Sequence, residues 1–195
     1  MASAATRRIQ RELAELMAQP VEGVTVIPDE NNIQSWQVFI QGPPKTAYAN
    51  GKFVLSVEFS HDFPFKAPTV SVGGVLTNAR DIEGGVLLQM KFKTRMYHPN
   101  IDSEGNLCMG ILKVEQWKPS TKMNSLLIAI YDLIENPNPD DPLESSIISA
   151  IPSDKRGTDV ETGAPADVHW QAEQYRSDRK AFDKKAADYT RQYAS

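Results

Sequence analysis

Apolar residues near the start of the chain recur with the period of a helix. Ala5, Ile9, Leu13, Leu16 and Met17 fall at helical spacing, which predicts an amphipathic helix over Ala4 to Ala18. Arg8 with Glu12 and Arg11 with Glu15 stand one turn apart, the spacing of supporting ion pairs. The period then changes to two. Val24 to Ile27 reads as a strand, Trp36, Val38 and Ile40 alternate in a second, and Phe53, Leu55, Val57 and Phe59 alternate in a third. Gly42-Pro43-Pro44 and Asn50-Gly51 supply the turns. Such short connections predict an antiparallel meander with one face covered by helices, an α+β fold. Phe63-Pro64-Phe65-Lys66-Ala67-Pro68 reads as a stiff loop, because proline donates no ladder hydrogen bond. A fourth strand comes from Val70-Ser71-Val72 or from Val86-Leu87-Leu88; the two could also pair as an added hairpin, and periodicity does not choose between them.

Helical spacing returns after residue 122. Met123 to Glu135 carries an apolar stripe of Met123, Leu126, Leu127, Ile130, Leu133 and Ile134, and the prolines from Pro137 onward end the helix. Glu144 to Ile151 predicts a short helix, and 152–167 a polar surface loop. The last helix is expected from Val168 to about Tyr193, with Trp170, Tyr175, Phe182, Ala186, Tyr189 and Tyr193 on its buried side. No repeats and no second domain are visible, so residues 1–195 are expected to form one domain.

Composition narrows the functional classes. Hydrophobic residues make up 41% and charged residues 24%, values of a globular chain. No apolar run approaches the ~20 residues of a membrane helix, and the first residues lack a signal core, so a cytoplasmic or nuclear protein without a membrane anchor is expected. The single cysteine, Cys108, cannot form an internal disulfide, which fits a reducing compartment. A net charge of −4 argues against nucleic acid as the main partner. His61, His98 and His169 are far apart in sequence and none lies at ligand spacing from Cys108, so no metal is expected. No nucleotide-binding glycine loop is present.

The candidate chemistry lies in His98-Pro99-Asn100-Ile101-Asp102-Ser103-Glu104-Gly105-Asn106-Leu107-Cys108. Its density of turn formers predicts an ordered loop that folds the Asn100 amide back towards the Cys108 thiol. A thiol nucleophile beside an amide donor suggests acyl transfer with a stabilised oxyanion.

This stretch resembles the active-site segment of ubiquitin-conjugating enzymes, which is marked by His-Pro-Asn, a short turn, the acceptor cysteine and a later tryptophan, here Trp117. The resemblance extends through Gly42-Pro43-Pro44, Phe63-Pro64-Phe65-Lys66, Pro119 and the Asn136-Pro137-Asn138-Pro139-Asp140-Asp141-Pro142-Leu143 run. It implies a four-stranded antiparallel meander with an N-terminal helix, a central helix and C-terminal helices. It also implies that Cys108 accepts ubiquitin from an activating enzyme as a thioester and passes it to a substrate lysine or to a ligase of the RING or HECT type. ATP is then consumed by the activating enzyme, and this chain, expected to be a monomer, needs no cofactor.

The resemblance assigns roles residue by residue. Asn100 stabilises the oxyanion, His98 scaffolds the loop, and Asp141 receives or orients the incoming amine. Arg7, Arg8 and Arg11, with Phe65, Pro119 and Ser120, dock the activating enzyme and the ligase. Ser125 and Ile128 hold the donor ubiquitin. Read from the residues alone, the arginines are a solvated helix face, Phe65 a core anchor, and Pro119, Ser120 and Asp141 ordinary turn residues.

The chain also departs from the pattern. Stretches near 71–89 and 152–167 are insertions. Gly110 stands where many lysine-directed members carry an aspartate two positions after the cysteine. Three competitors share the sequence features: the same chemistry with another ubiquitin-like modifier, a non-catalytic ubiquitin-binding adapter, and a thiol hydrolase. The acceptor cysteine argues against the adapter, and the lack of a base poised on the thiol argues against the hydrolase.

Overall fold

The computed structural model describes residues 3–68, 90–92, 94–101, 105–107, 109, 112, 116–140 and 168–194. Helix α1 spans Ala4–Ala18 and starts where the Ser3 hydroxyl accepts the Thr6 backbone N–H at 3.0 Å, an N-cap that satisfies one of the helix's unpaired donors. Its inner side carries Ala5, Ile9 and Leu16, with Leu13 half-buried. Met17 is 71% exposed instead. Ala5, Ile9, Leu13 and Leu16 complete the inward stripe, and Met17 falls beyond its edge.

Strands β1 (Val24–Pro28), β2 (Ser35–Gln41) and β3 (Lys52–Glu58) form the antiparallel meander. The register sets Trp36 opposite Val57, Val38 opposite Leu55 and Ile40 opposite Phe53. These six side chains are buried and the intervening Gln37 is exposed, so the alternation read in the sequence is the inward face of the sheet. β4 (Met90–Phe92) pairs with β3, and a two-residue β5 (Asn106–Leu107) extends the sheet beyond the expected fourth strand. The fourth strand thus lies just after the two apolar runs proposed for it. Those runs, the expected helix at 144–151 and both inserted stretches lie outside the described residues.

The turn from β2 to β3 depends on two backbone features. Asn50 adopts φ 68°, a left-handed conformation that asparagine tolerates better than most residues. Gly42 lies so close to the Tyr48 carbonyl that a Cβ would come within 1.8 Å of its oxygen. Any side chain there would push the turn off the strands.

Helix α2 (Met123–Glu135) packs Met123, Leu126, Leu127, Ile130 and Ile134 into the core, with Leu133 half-buried. Its first turn has no local side-chain cap. Glu12 of α1, itself buried, accepts the Met123 N–H at 2.8 Å and so caps α2 from another helix. The same carboxylate accepts from Arg8 Nε at 2.6 Å, while the Arg8 Nη1 and Nη2 groups donate to the Pro119 and Thr121 carbonyls at 2.9 and 3.0 Å. The Arg8–Glu12 pair of the sequence is therefore present and has a tertiary purpose. Arg11 does not meet Glu15; Lys122 takes that carboxylate.

The single terminal helix expected from the sequence is two helices, α3 (Val168–Ser177) and α4 (Arg179–Tyr193). Asp178 leaves the helical region at φ −141°, and its carboxylate accepts the Ala181 N–H at 3.0 Å, capping α4. Aspartate competes with the helix in this way wherever its side chain can reach the next turn. Phe182 and Ala186 are buried, Tyr175 and Tyr189 half-buried, and Trp170 is 38% exposed. Lys185 holds its ammonium 4.8 Å from the ring centres of both Tyr97 and Trp170. The end of α4 is tied to the sheet by Lys52 N–H donating to the Ala194 carbonyl at 2.7 Å.

Glu12→Ala should lower the unfolding free energy by about 2–3 kcal/mol, since it removes a buried charged acceptor from both an amide and a guanidinium. Glu12→Gln, which keeps a cap acceptor, should cost less. Urea unfolding of the two variants measures this order.

Candidate active site

The His98–Ile101 loop is closed by its own backbone and by buried side chains. The Ile101 N–H donates to the His98 carbonyl at 3.1 Å, and the two residues form an antiparallel bridge. His98 is fully buried. Its Nδ1 accepts the Asn100 N–H at 3.0 Å and its Nε2 lies 3.0 Å from the Leu133 carbonyl of α2. A nitrogen that accepts an amide proton carries none itself, so the ring is neutral with its proton on Nε2, directed at that carbonyl. Burial pushes the imidazole pKa down to about 3, against the Leu133 hydrogen bond, which favours the charged form. With one nitrogen accepting the Asn100 N–H and the other facing the Leu133 carbonyl, His98 has no lone pair to offer as a base.

Asn100 is 1% exposed. Its side-chain Oδ1 accepts the Asn138 N–H at 2.9 Å, and its Nδ2 donates to the Asn138 carbonyl at 2.7 Å. The amide thus pairs with one backbone unit of the segment after α2 as a strand neighbour would. Asn138 also folds on itself, its Oδ1 accepting the Asp140 N–H at 3.1 Å. Behind the loop, Tyr48 donates its hydroxyl to the Tyr97 carbonyl at 2.8 Å. Burial first, then neighbouring tyrosines and Asp183, raise that phenol's pKa and keep it a donor.

Cys108 and Asp141 lie outside the described residues. Their chain neighbours do not. Leu107, the residue before Cys108, forms an antiparallel bridge with Ile101, the residue after Asn100, and is buried. Asn138 and Asp140 lead into residue 141. Among the described residues, no group of three or more His, Cys, Asp or Glu side chains could hold a metal ion, and no helix is long and apolar enough to cross a membrane.

The other expected site residues fall in two places. The first is where α1 meets two loops. Trp117 is buried and donates its indole N–H to the Pro64 carbonyl at 2.8 Å, so the 117–121 loop sits against the 63–66 loop. Arg8 joins both to α1, with its guanidinium 5.8 Å from the centre of the Phe63 ring. Phe65 is 78% exposed, and Pro119, Ser120, Arg7 and Arg11 are exposed as well. Phe63 is the buried core anchor of this loop; Phe65 is not. Arg8 is half-buried and employed in holding the junction together.

The second place is the outer face of α2. Ser125 is exposed there, and Ile128 is 50% exposed. Ile128, Tyr131 and Asp132 line a groove together with Gln19, Pro20, Val21 and Glu22.

Comparison with known proteins decides what this arrangement belongs to. The sequence profile of the family described as "Ubiquitin-conjugating enzyme" matches residues 8–77 and 88–162. The chain belongs to the ubiquitin-conjugating enzyme family. It is also 38% identical to "Ubiquitin-conjugating enzyme E2 14" of Schizosaccharomyces pombe (strain 972 / ATCC 24843), over 100% of this chain and 99% of that protein. The enzyme is therefore a transferase of ubiquitin conjugation. Its family works with ubiquitin, an activating enzyme and ligases. The α+β fold with its N-terminal helix, antiparallel sheet and C-terminal helices is the one the resemblance implied.

Asn138 was not singled out from the sequence of the enzyme. A signal existed, since it stands between Pro137 and Pro139 and so in a segment of restricted backbone. Its pairing with a side chain 38 residues away carries no local signature.

Between about pH 3 and pH 6.5 the unfolded chain binds a proton at His98 that the folded chain refuses. Stability should therefore fall as the pH is lowered through that window, by up to roughly 1.4 kcal/mol per pH unit from this one group. In His98→Gln the slope of the urea midpoint between pH 7 and pH 5 should flatten, although the variant is less stable at neutral pH.

Proposed function

We propose that Cys108 accepts the carboxyl end of ubiquitin from an activating enzyme and transfers it to a lysine, directly or through a ligase. In the first step the Cys108 thiolate attacks the activating enzyme's thioester carbonyl, and that enzyme's thiolate leaves. The exchange is nearly isoenergetic, so no nucleotide site is required in this chain. In the second step an amine attacks the Cys108 thioester, an amide forms, the Cys108 thiolate departs, and the amine's proton passes to Asp141 or to water. Asp141 is proposed as positioner and proton acceptor. A carboxylate alone would raise the amine's pKa, so the lowering comes from desolvation of the amine.

Asn100 has two tasks in this reading. It orders the loop through Asn138 and donates to the oxyanion that develops on the thioester carbonyl. The observation that carries the proposal is the bridge between Ile101 and Leu107, which joins the chain neighbours of Asn100 and Cys108. The neutral, fully engaged His98 favours transfer over hydrolysis, since this imidazole has no free nitrogen with which to activate water.

Arg7, Arg11, Phe65, Pro119 and Ser120 form the proposed surface for the activating enzyme and the ligase, and Arg8 keeps that surface in shape. Because both partners would use it, loading and discharge alternate. Ser125 and Ile128 on α2 are the proposed contacts for the donor ubiquitin.

With activating enzyme, ATP and ubiquitin, a non-reducing gel should show a band heavier by one ubiquitin that disappears with a thiol reductant. Cys108→Ser should give a reductant-resistant band. Absence of both bands would remove the proposal, and loading of another modifier in place of ubiquitin would change its cargo. Asn100→Ala should slow discharge by about 10²–10³-fold. Asp141→Ala should slow discharge onto free lysine more than loading; equal effects on the two steps would withdraw its role. Charge reversal at Arg7 and Arg11 together should slow loading while leaving discharge of an already loaded enzyme onto free lysine unchanged.

A further inference from the structure

Helix α3 hydrogen-bonds to both chain segments that the Asn100–Asn138 pair joins. On one side the Tyr97 hydroxyl donates to the Gln174 Oε1 at 2.6 Å, and Tyr97 is the residue before His98. On the other side, two residues further along α3, Arg176 Nη2 donates to the Pro139 carbonyl at 2.6 Å and to the Asp140 Oδ1 at 2.7 Å. Pro139 is the residue after Asn138. Asp140 in turn gives its N–H to the Asn138 side chain. A continuous run of hydrogen bonds therefore leads from Arg176 through Asp140 to Asn138 and then to the Asn100 amide.

We infer that α3 braces the Asn100–Asn138 pair and that Arg176 is a positioning residue for the Asn100 amide. The inference rests on the oxyanion role proposed above for Asn100. Two physical facts support a role in geometry rather than in stability. The Arg176 and Asp140 side chains are 44% and 84% exposed, so their ion pair is screened and contributes little to folding. The guanidinium, however, is planar and rigid, and it fixes a carbonyl and a carboxylate on adjacent residues with one nitrogen. Pro139 cannot donate a backbone hydrogen bond, so the segment has one fewer means of holding itself in place. Arg176 supplies an external tie at the position next to the one that pairs with Asn100.

The test reads the Asn100 amide directly and then the reaction. In isotopically labelled enzyme, solvent exchange of the Asn100 side-chain amide protons should rise roughly tenfold in Arg176→Ala, while backbone amides of Val38 and Leu55 in the sheet keep their protection. Arg176→Lys, which can still donate to the Pro139 carbonyl, should recover most of the loss. In single-turnover assays without ligase, Arg176→Ala should discharge onto free lysine roughly tenfold more slowly, well inside the ~10²-fold that small misplacements can cost. Loading should change less than twofold. Arg176→Ala should add almost nothing to Asn100→Ala, as expected for residues acting through one another. Unchanged Asn100 exchange would overturn the brace, whatever the activity. Raised exchange with unchanged discharge would leave the brace standing and remove the oxyanion role of Asn100. Full additivity with Asn100→Ala would show that Arg176 acts by another route.

Discussion

The structure turns on one reciprocal pair of hydrogen bonds, in which a side-chain amide replaces a strand. Asn100 gives and receives one bond with the Asn138 backbone, and this joins the His98–Ile101 loop to the segment that leaves α2. Neither partner lies in regular structure, so this pair joins two irregular segments directly. The buried imidazole of His98 fixes the loop from below by joining it to the last turn of α2. Burial makes that imidazole neutral, and neutrality lets it accept on one side and donate on the other.

The same helix, α2, is fixed at both ends by groups from elsewhere in the chain. At its start the Glu12 carboxylate of α1 replaces a local cap. Near its end the Leu133 carbonyl is drawn to His98. A helix constrained at its first amide and its last turn behaves as a rigid spacer, so the junction of α1 with the 117–121 loop and the asparagine clamp keep a set separation. The exposed face of α2, with Ser125 and Ile128, lies along this spacer.

Elements with strong periodicity were legible in the sequence. The β2 and β3 alternation and the α2 stripe match the burial of Trp36, Val38, Ile40, Phe53, Leu55 and the α2 core residues, because period alone decides which face turns inward. Legibility ended where a side chain overrides the period. Asp178 breaks the terminal helix by capping its own successor, and Met17 sits at the margin of a stripe that needs no fifth member. Of the site, the loop composition showed His98 and Asn100, but their partners did not follow from it. Leu133 and Asn138 are brought in by tertiary folding, and a carbonyl acceptor has no residue identity to recognise in a sequence.

The half-buried Arg8 changes how substitutions on α1 should be interpreted. Three adjacent cations in a short helix invite the assumption that all three speak to a visitor. Arg8 is committed internally, to Glu12 and to the carbonyls of Pro119 and Thr121. Arg7 and Arg11 stand exposed one helical turn apart, while Arg8 is half-buried. Weakened association after altering Arg8 would report a loosened platform rather than a lost handshake.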